Sequence, residues 1–192
     1  MKYLLLVQLV FIFSFCSKGK SKPQTQSGAE STATTSALVD GAAPQNPNPK
    51  MMDGLVISLP SLKAKTGEAF CLDVTVRNFQ ALLSMQYTIR WDRNVLEFIE
   101  LKNFALPYLD TNDFGTTRTA EGILTSAWID DSLKGTSVED GTSVYQICYR
   151  AKGTAGQSTF LKITDVPTAI EVVNKMEKVI PMKKENGSVK IQ

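Results

Sequence analysis

Apolar side chains occupy every second position from residue 84 to residue 91, with polar side chains between them. A period of two predicts a β-strand that buries one set of side chains and exposes the other. The set expected in the core is Met85, Tyr87, Ile89 and Trp91, and the set expected on the outer face is Ser84, Gln86, Thr88 and Arg90. Asp92-Arg93-Asn94 then predicts a turn, and residues 95–99 begin a second strand.

Strand-like runs of this kind recur every 8 to 15 residues or so between residue 53 and residue 192, separated by turn signals and without a sustained helical period. This spacing predicts an all-β domain built as an antiparallel β-sandwich. The other strands are expected at residues 55–59, 70–77, 122–129, 144–151, 159–163 and 187–191.

The segment from residue 84 to residue 101 resembles the third and fourth strands of a cohesin module. Its strand ends in an aromatic residue and is followed by Asp-x-Asn-Val-Leu-Glu. Other cohesin-like pieces occur in the same order: Gly67-Glu68 before the alternating residues 70–76, Trp128-Ile129-Asp130-Asp131-Ser132, the strand that ends in residues 147–153, and residues 186–191. The resemblance implies a nine-stranded sandwich of jelly-roll topology, which is close to that of some carbohydrate-binding modules.

Cohesins are receptor modules that hold dockerin-bearing enzymes on bacterial scaffolds, and they bind through the exposed face of one sheet. By position, the resemblance implies a binding face on the third, sixth and eighth strands. These present Ser84, Gln86, Thr88 and Arg90; then Thr125, Ala127, Ile129 and Asp130; then Gln146, Cys148 and Arg150. Ser84 and Gln86 depart from the Asn and Asp common in the family, so the partner class stays open. An ordinary solvated sheet face is the alternative.

The N-terminal segment predicts export. Residues 4–15 form a nearly unbroken apolar run after Lys2, which is too short to span a bilayer and is typical of a signal peptide. Cys16 at its end resembles the lipidated cysteine of bacterial lipoproteins, although Phe15 before it is larger than usual. Residues 17–52 are rich in Ser, Thr, Pro and Gly and predict a disordered linker. A lipoprotein-type signal peptide over residues 1–16 and an exported, membrane-anchored envelope lipoprotein are therefore expected, with an ordinary cleaved signal or an uncleaved anchor as the alternatives.

Composition removes several kinds of catalytic site. The chain has no histidine, which excludes Ser-His-Asp triads and imidazole zinc sites. Its formal charge of +2 gives no reason to expect nucleic acid binding. Neighbouring acids at Asp130-Asp131 and Glu139-Asp140 are interpreted as loop residues, with a weak calcium site as the alternative. We expect no catalytic residue, metal ligand or cofactor in this chain; the resemblance implies that calcium belongs to the dockerin-like partner.

Phase along the strands also predicts where Trp and Cys side chains lie. Trp91 and Trp128 fall in the inward sets and are expected in the core, not on a sugar-stacking surface. Cys71 and Cys148 fall out of phase with the inward sets, and the resemblance places their strands in different sheets. Side chains that point away from each other across a sandwich cannot bridge, so two unpaired thiols are predicted.

Together these features predict a non-catalytic module that captures a dockerin-like domain and tethers its protein to the bacterial cell envelope. Two other functions stay open: a carbohydrate-binding module with polysaccharide as its partner, and a structural envelope lipoprotein.

Overall fold

The computed structural model describes residues 54–192, and within them nearly all regular structure is β. The predicted signal segment with Cys16 and the predicted linker lie outside the described residues. The strands are β1 Leu55–Ser58, β2 Ser61–Ala64, β3 Ala69–Arg77, β4 Leu82–Arg90, β5 Leu96–Lys102, β6 Phe114–Gly115, β7 Ile123–Ile129, β8 Ser143–Ala151, β9 Ser158–Thr164, β10 Glu171–Asn174, β11 Met182–Glu185 and β12 Gly187–Ile191. Two 3-10 turns, Thr111–Asp113 and Thr119–Glu121, are the helical elements of this part of the chain, and neither could cross a membrane.

Two sheets form the predicted sandwich. The five-stranded sheet has the order β11-β1-β3-β8-β5. The seven-stranded sheet has the order β2-β12-β9-β4-β7-β6, and β10 pairs with β4 on the side where β9 also pairs. The prediction of an all-β sandwich is therefore confirmed.

The first and last strands each pass from one sheet into the other. β1 and β2 are separated by Leu59-Pro60, and β11 and β12 by Asn186 alone. Each half runs parallel to its counterpart, β1 beside β11 and β2 beside β12. A side chain at Gly187 would place its Cβ 2.1 Å from the Pro60 carbonyl oxygen, so the two bends can approach only with glycine there. Counting each broken strand once and setting β10 aside leaves the predicted nine.

Aromatic side chains fill much of the space between the sheets. Trp128 is fully buried against Phe79, with ring centroids 5.6 Å apart, and Trp91 meets the Tyr149 ring edge-on at 5.1 Å. Each indole N–H also has an acceptor, Leu96 O for Trp91 and Pro107 O for Trp128. The prediction that both tryptophans lie in the core is confirmed.

A pair of tyrosines satisfies polar atoms in the core. The Tyr87 and Tyr145 hydroxyls lie 2.8 Å apart, and each strand contributes one of them from its inward set. Burial raises the pKa of Tyr87 to about 12, so the pair is neutral at physiological pH. The hydrogen bond between the two rings therefore joins the sheets without placing a charge in the core.

Cys71 and Cys148 form a disulfide, so the prediction of two unpaired thiols is wrong. β3 and β8 are antiparallel neighbours in the five-stranded sheet, and the two cysteines are direct partners in their register. Their Cα atoms lie 4.0 Å apart and the sulfur atoms 2.08 Å apart. The phase argument, which turned both side chains away from the core, agrees with this arrangement. The error was to place the strands in different sheets, because outward side chains of the same sheet lie side by side.

Candidate protein-binding face

The outer face of the seven-stranded sheet, here called the front face, gathers outward side chains from six strands. They are Ser61 and Lys63 of β2, Ser188 and Lys190 of β12, Ser158, Phe160, Lys162 and Thr164 of β9, Ser84, Gln86, Thr88 and Arg90 of β4, Glu171 and Val173 of β10, and Thr125, Ala127 and Ile129 of β7. The outer face of the five-stranded sheet is called the back face.

Register brings seven of the ten predicted site residues onto the front face, and six of them are not buried. In the β4–β7 pair, Ser84 lies opposite Ile129, Gln86 opposite Ala127 and Thr88 opposite Thr125. Arg90 follows on the same side of β4 and is exposed. The six are Ser84, Gln86, Arg90, Thr125, Ala127 and Ile129.

An apolar row crosses one end of the front face. Ile129 lies beside Ser84, Ser84 beside Val173, and Val173 beside Val179 in a bridge just beyond β10. Ile129 and Val179 are 54% and 66% exposed, which is high for branched aliphatic side chains. Because Ser84 is small, a depression opens beside Ile129, lined also by Gln86, Ala127 and Glu171.

The other end of the front face carries an exposed aromatic ring among cations. Phe160 is 65% exposed, and the Lys162 ammonium lies 5.6 Å from its ring centroid. Arg90 is the register partner of Lys162 on the neighbouring strand. These residues border a second depression, which Asp92, Ser158 and Thr164 also line.

Thr88 lies on the predicted face but is buried, so the prediction that it contacts a partner is wrong for this structure. The main chain of Thr168, in the loop after β9, lies over it. Thr88 Oγ1 accepts a hydrogen bond from Thr168 N–H at 3.0 Å and donates one to Thr168 O at 3.2 Å. The side chain holds that loop on the sheet and separates the two ends of the front face.

Asp130 is also misplaced by the prediction, because its side chain is buried within the loop that follows β7. Its carboxylate accepts hydrogen bonds from the Ser132 hydroxyl at 2.6 Å, the Ser132 amide at 3.0 Å and the Gly135 amide at 2.9 Å. The Ser132 hydroxyl bond, above all, lowers the pKa of Asp130 below its usual range. The carboxylate is therefore committed to shaping its own loop.

The acidic loop residues do not assemble into a cation site. Asp140 Oδ1 accepts the Asn78 amide at 2.7 Å, near the far end of the same loop between β7 and β8. Among residues 54–192, no group of three or more histidine, cysteine, aspartate or glutamate side chains is placed to hold a metal ion.

Gln146 and Arg150 lie on the back face, so the prediction that they join the other site residues is wrong. Their strand, β8, is a member of the five-stranded sheet. Gln146 accepts a hydrogen bond from Asn103 Nδ2 and donates one to Asp73 Oδ1. The bond from Ser143, followed by that from Gln146, lowers the pKa of Asp73. Arg150 Nε lies 4.0 Å from a Glu97 carboxylate oxygen.

The strand that takes the place of β8 on the front face is β9, and its outward residues were missed. Periodicity predicts a strand over residues 159–163, to which the resemblance gives no face. Leu161 and Ile163 are buried, so their phase turns Phe160 and Lys162 outward and was the signal available. Glu171 and Val173 of β10 had no such signal, because a four-residue strand shows too little alternation.

The described fold and its front face define a β-sandwich module suited to contact with another protein. An apolar centre with polar and charged surroundings is the usual anatomy of such an interface. The sequence profile of the cohesin domain matches residues 55–191, and the chain belongs to the cohesin family. Cohesin domains are non-catalytic protein-interaction modules, so this chain is not an enzyme. No curated protein sequence matched it.

Solved cohesin structures share the fold. The OlpA cohesin of Clostridium thermocellum, in complex with the dockerin Doc918, superposes with a TM-score of 0.60 at 16% identity, covering 73% of this chain and 100% of that one. The sixth scaffoldin B cohesin of Acetivibrio cellulolyticus, in complex with a Cel5 dockerin, gives 0.61 at 14%, covering 72% and 99%. A non-cellulosomal cohesin of the archaeon Archaeoglobus fulgidus gives 0.58 at 20%, covering 72% and 91%.

Proposed function

We propose that this chain captures a dockerin-like domain on its front face and holds the captured protein at the bacterial cell envelope. The apolar row formed by Ile129, Val173 and Val179 around Ser84 is the observation that carries the capture proposal. Family membership and the cohesin–dockerin complexes among the similar structures support it. Calcium, in this proposal, belongs to the loops of the partner.

The tethering half of the proposal is supported by the N-terminal sequence. Lipidation of Cys16 after removal of the apolar segment would fix one end of the chain in a membrane. Residues 17–52 then form a flexible spacer of some 30–35 Å root-mean-square length, as expected for a coil of about 36 residues. The partner is thereby held close to the membrane while the front face stays free to bind.

Carbohydrate binding is the weaker alternative because both tryptophans are in the core. Phe160 supplies an exposed aromatic ring on the front face, but the second aromatic side chain that lines the same depression, Trp91, is only 7% exposed and offers no platform for a sugar ring. Soluble polysaccharide therefore serves as a competitor in the capture experiment.

Capture is tested by immobilising the full chain and passing the exported proteins of the source organism over it, with calcium and with a chelator. We expect calcium-dependent recovery of a protein with paired calcium loops. Ile129→Asp places a charge in the apolar row and is expected to abolish recovery, since an unpaired charge in an interface core is strongly unfavourable.

Ile99→Asp is the matched control, because Ile99 is a 40% exposed isoleucine on the back face. It is expected to leave recovery unchanged, and thermal unfolding of both variants confirms that they fold. Recovery that tolerates Ile129→Asp, or that is lost with soluble polysaccharide and not with chelator, contradicts dockerin capture. Release of the full chain from membranes by Cys16→Ala tests the anchor separately.

A further inference from the structure

Four cations lie on the half of the front face that surrounds Phe160. Lys63 and Lys190 are direct partners in the β2–β12 pair, and Arg90 and Lys162 are direct partners in the β4–β9 pair. All four residues are exposed. In the described part of the chain, none of the four forms an ion pair within 4.0 Å.

Like charges directly opposite each other in a sheet destabilise it. The two pairs lie on four consecutive strands of the sheet, and no ion pair within the described domain neutralises either of them. The Glu121 carboxylate, near Arg90, is held by the Arg118 guanidinium at 2.5 Å. Asp92, at the edge of the depression, uses its Oδ1 to accept the Asn94 amide within its own turn.

Phe160 lies at the centre of these charges and supplies the contact that positions a partner. Its ring is exposed, and Lys162 projects over it. An exposed ring of this kind anchors an apolar side chain of a partner. The positively charged groups that flank the ring pair with carboxylates on either side of that side chain. At the other end of the face, Glu171 lines the depression beside the apolar row.

We propose that the partner bound on the front face is an acidic protein surface, with carboxylates that neutralise Arg90, Lys162, Lys190 and Lys63 around an apolar residue packed on Phe160. This inference rests on the proposed function and names the chemistry of its partner. A protein surface is favoured over a polyanion because the cations flank an exposed ring on a face whose other end carries an exposed apolar row. The chain's formal charge of +2 adds no wider basic field.

The test uses the immobilised full chain and two synthetic amphipathic helical peptides with the same leucine positions. One carries glutamate and the other lysine on the flanks of the leucine stripe. We expect the glutamate peptide to bind at least about tenfold more tightly, with affinity falling as salt is raised, since steering by exposed charges is screened. Charge reversal in the double variant Arg90→Glu/Lys162→Glu is expected to invert this preference.

Lys152→Glu/Lys184→Glu is the matched control, because it reverses two exposed lysines away from the front face. It is expected to keep the wild-type preference. Equal binding of the two peptides, binding of neither, or a preference that survives Arg90→Glu/Lys162→Glu would overturn the inference. So would binding of phosphatidylglycerol vesicles without discrimination between peptides, which would assign the cations to a lipid surface.

The two proposals fail separately. Capture that is lost in Ile129→Asp but unchanged in Arg90→Glu/Lys162→Glu keeps dockerin binding and rejects an acidic partner surface. A preference for the glutamate peptide without calcium-dependent capture keeps the acidic partner surface and rejects dockerin binding.

Discussion

The two outer faces of this sandwich differ in how they satisfy their own charges. On the back face, carboxylates and cations pair with each other: Arg77 and Lys183 with Glu185, Arg150 with Glu97, and Lys102 with Glu100. Asp73 accepts hydrogen bonds from Ser143 and Gln146 on the neighbouring strand. On the front face of the described domain, no ion pair joins the outward side chains, and Phe160 and Ile129 stand exposed.

This difference separates a surface that is complete within the chain from one that needs a partner. Exposed ion pairs contribute little to stability, so the back face is not much more stabilising than the front. The charged groups described for the back face already have partners within the chain. The front face instead presents exposed apolar groups and cations without an ion pair in the described domain, and in our proposal these gain their contacts on association. Surfaces of that kind mark interaction sites.

The largest expected change in the free energy of unfolding comes from a substitution in the core between the two sheets. Trp128→Ala removes a fully buried ring packed on Phe79 and should lower the free energy of unfolding by about 3–5 kcal/mol. Ile129→Ala, at the adjacent outward position, is the control and should change it by no more than about 0.5 kcal/mol. Guanidinium denaturation measures both. Similar losses in the two variants would contradict the inward and outward assignments of β7.

The disulfide sharpens the comparison, because it stabilises the domain from the back face alone. Cys71→Ala/Cys148→Ala should lower the free energy of unfolding by about 2–4 kcal/mol, since the bridge restricts the unfolded chain. Binding at the front face should persist wherever the variant is folded. Denaturation of the wild type with and without reductant provides the comparison, and coincident curves would contradict the bridge.

Thr88 should behave as a structural residue although it lies on the front face. Thr88→Val keeps the shape but leaves the buried Thr168 amide without its acceptor, which should cost about 1–3 kcal/mol. Hydrogen exchange at the Thr168 amide should accelerate in the variant. Thr125→Val, in the neighbouring register position, is the control. An unchanged exchange rate would show that the loop does not depend on Thr88.

The smallest effect is the acid response of the back face. Hydrogen bonds from Ser58 and then Arg77 lower the pKa of Glu185, and those from Ser143 and Gln146 lower that of Asp73. A folded-state pKa below the unfolded value gives stability that is present above the unfolded pKa and is lost as pH falls through the folded one. We therefore expect a shallow loss of stability below about pH 4.

Urea denaturation of the wild type and of Glu185→Gln across that pH range measures this response. The variant should lose part of the pH dependence, and the remaining part should decrease at high salt. A pH dependence identical to that of the wild type would show that Glu185 is not stabilised in its charged form.

Alternation along the chain predicted eight of the twelve strands of the described domain and their inward side chains, but not the short strands β2, β6, β10 and β11. It placed Met85, Tyr87 and Ile89 in the core, and both tryptophans with them. It could not assign strands to sheets, because pairing is set by contacts between segments far apart in sequence. The resemblance assigns residues 144–151 to the eighth strand of the family, but they form the seventh strand of this structure when each broken strand is counted once. That error moved Gln146 and Arg150 to the wrong face and separated the two cysteines.

The predicted exposure of two other site residues was wrong for a different reason. Thr88 and Asp130 have the phase or position expected of exposed residues, but main-chain amides from nearby loops use their oxygen atoms. A loop that folds back over a strand leaves no periodic trace in the strand. The exposed fraction of a polar side chain therefore depends on the conformation of segments whose sequence has no pattern.

The parallel pairing of the first and last strands has a mechanical consequence. A pull on residue 54 directed along β1 acts parallel to the strand, so its hydrogen bonds to β11 on one side and β3 on the other are loaded in shear and share the force. The same strand continues as β2 beside β12 in the second sheet. A module held by the segment before residue 54 would thus resist tension with both sheets at once, and would not open one bond at a time.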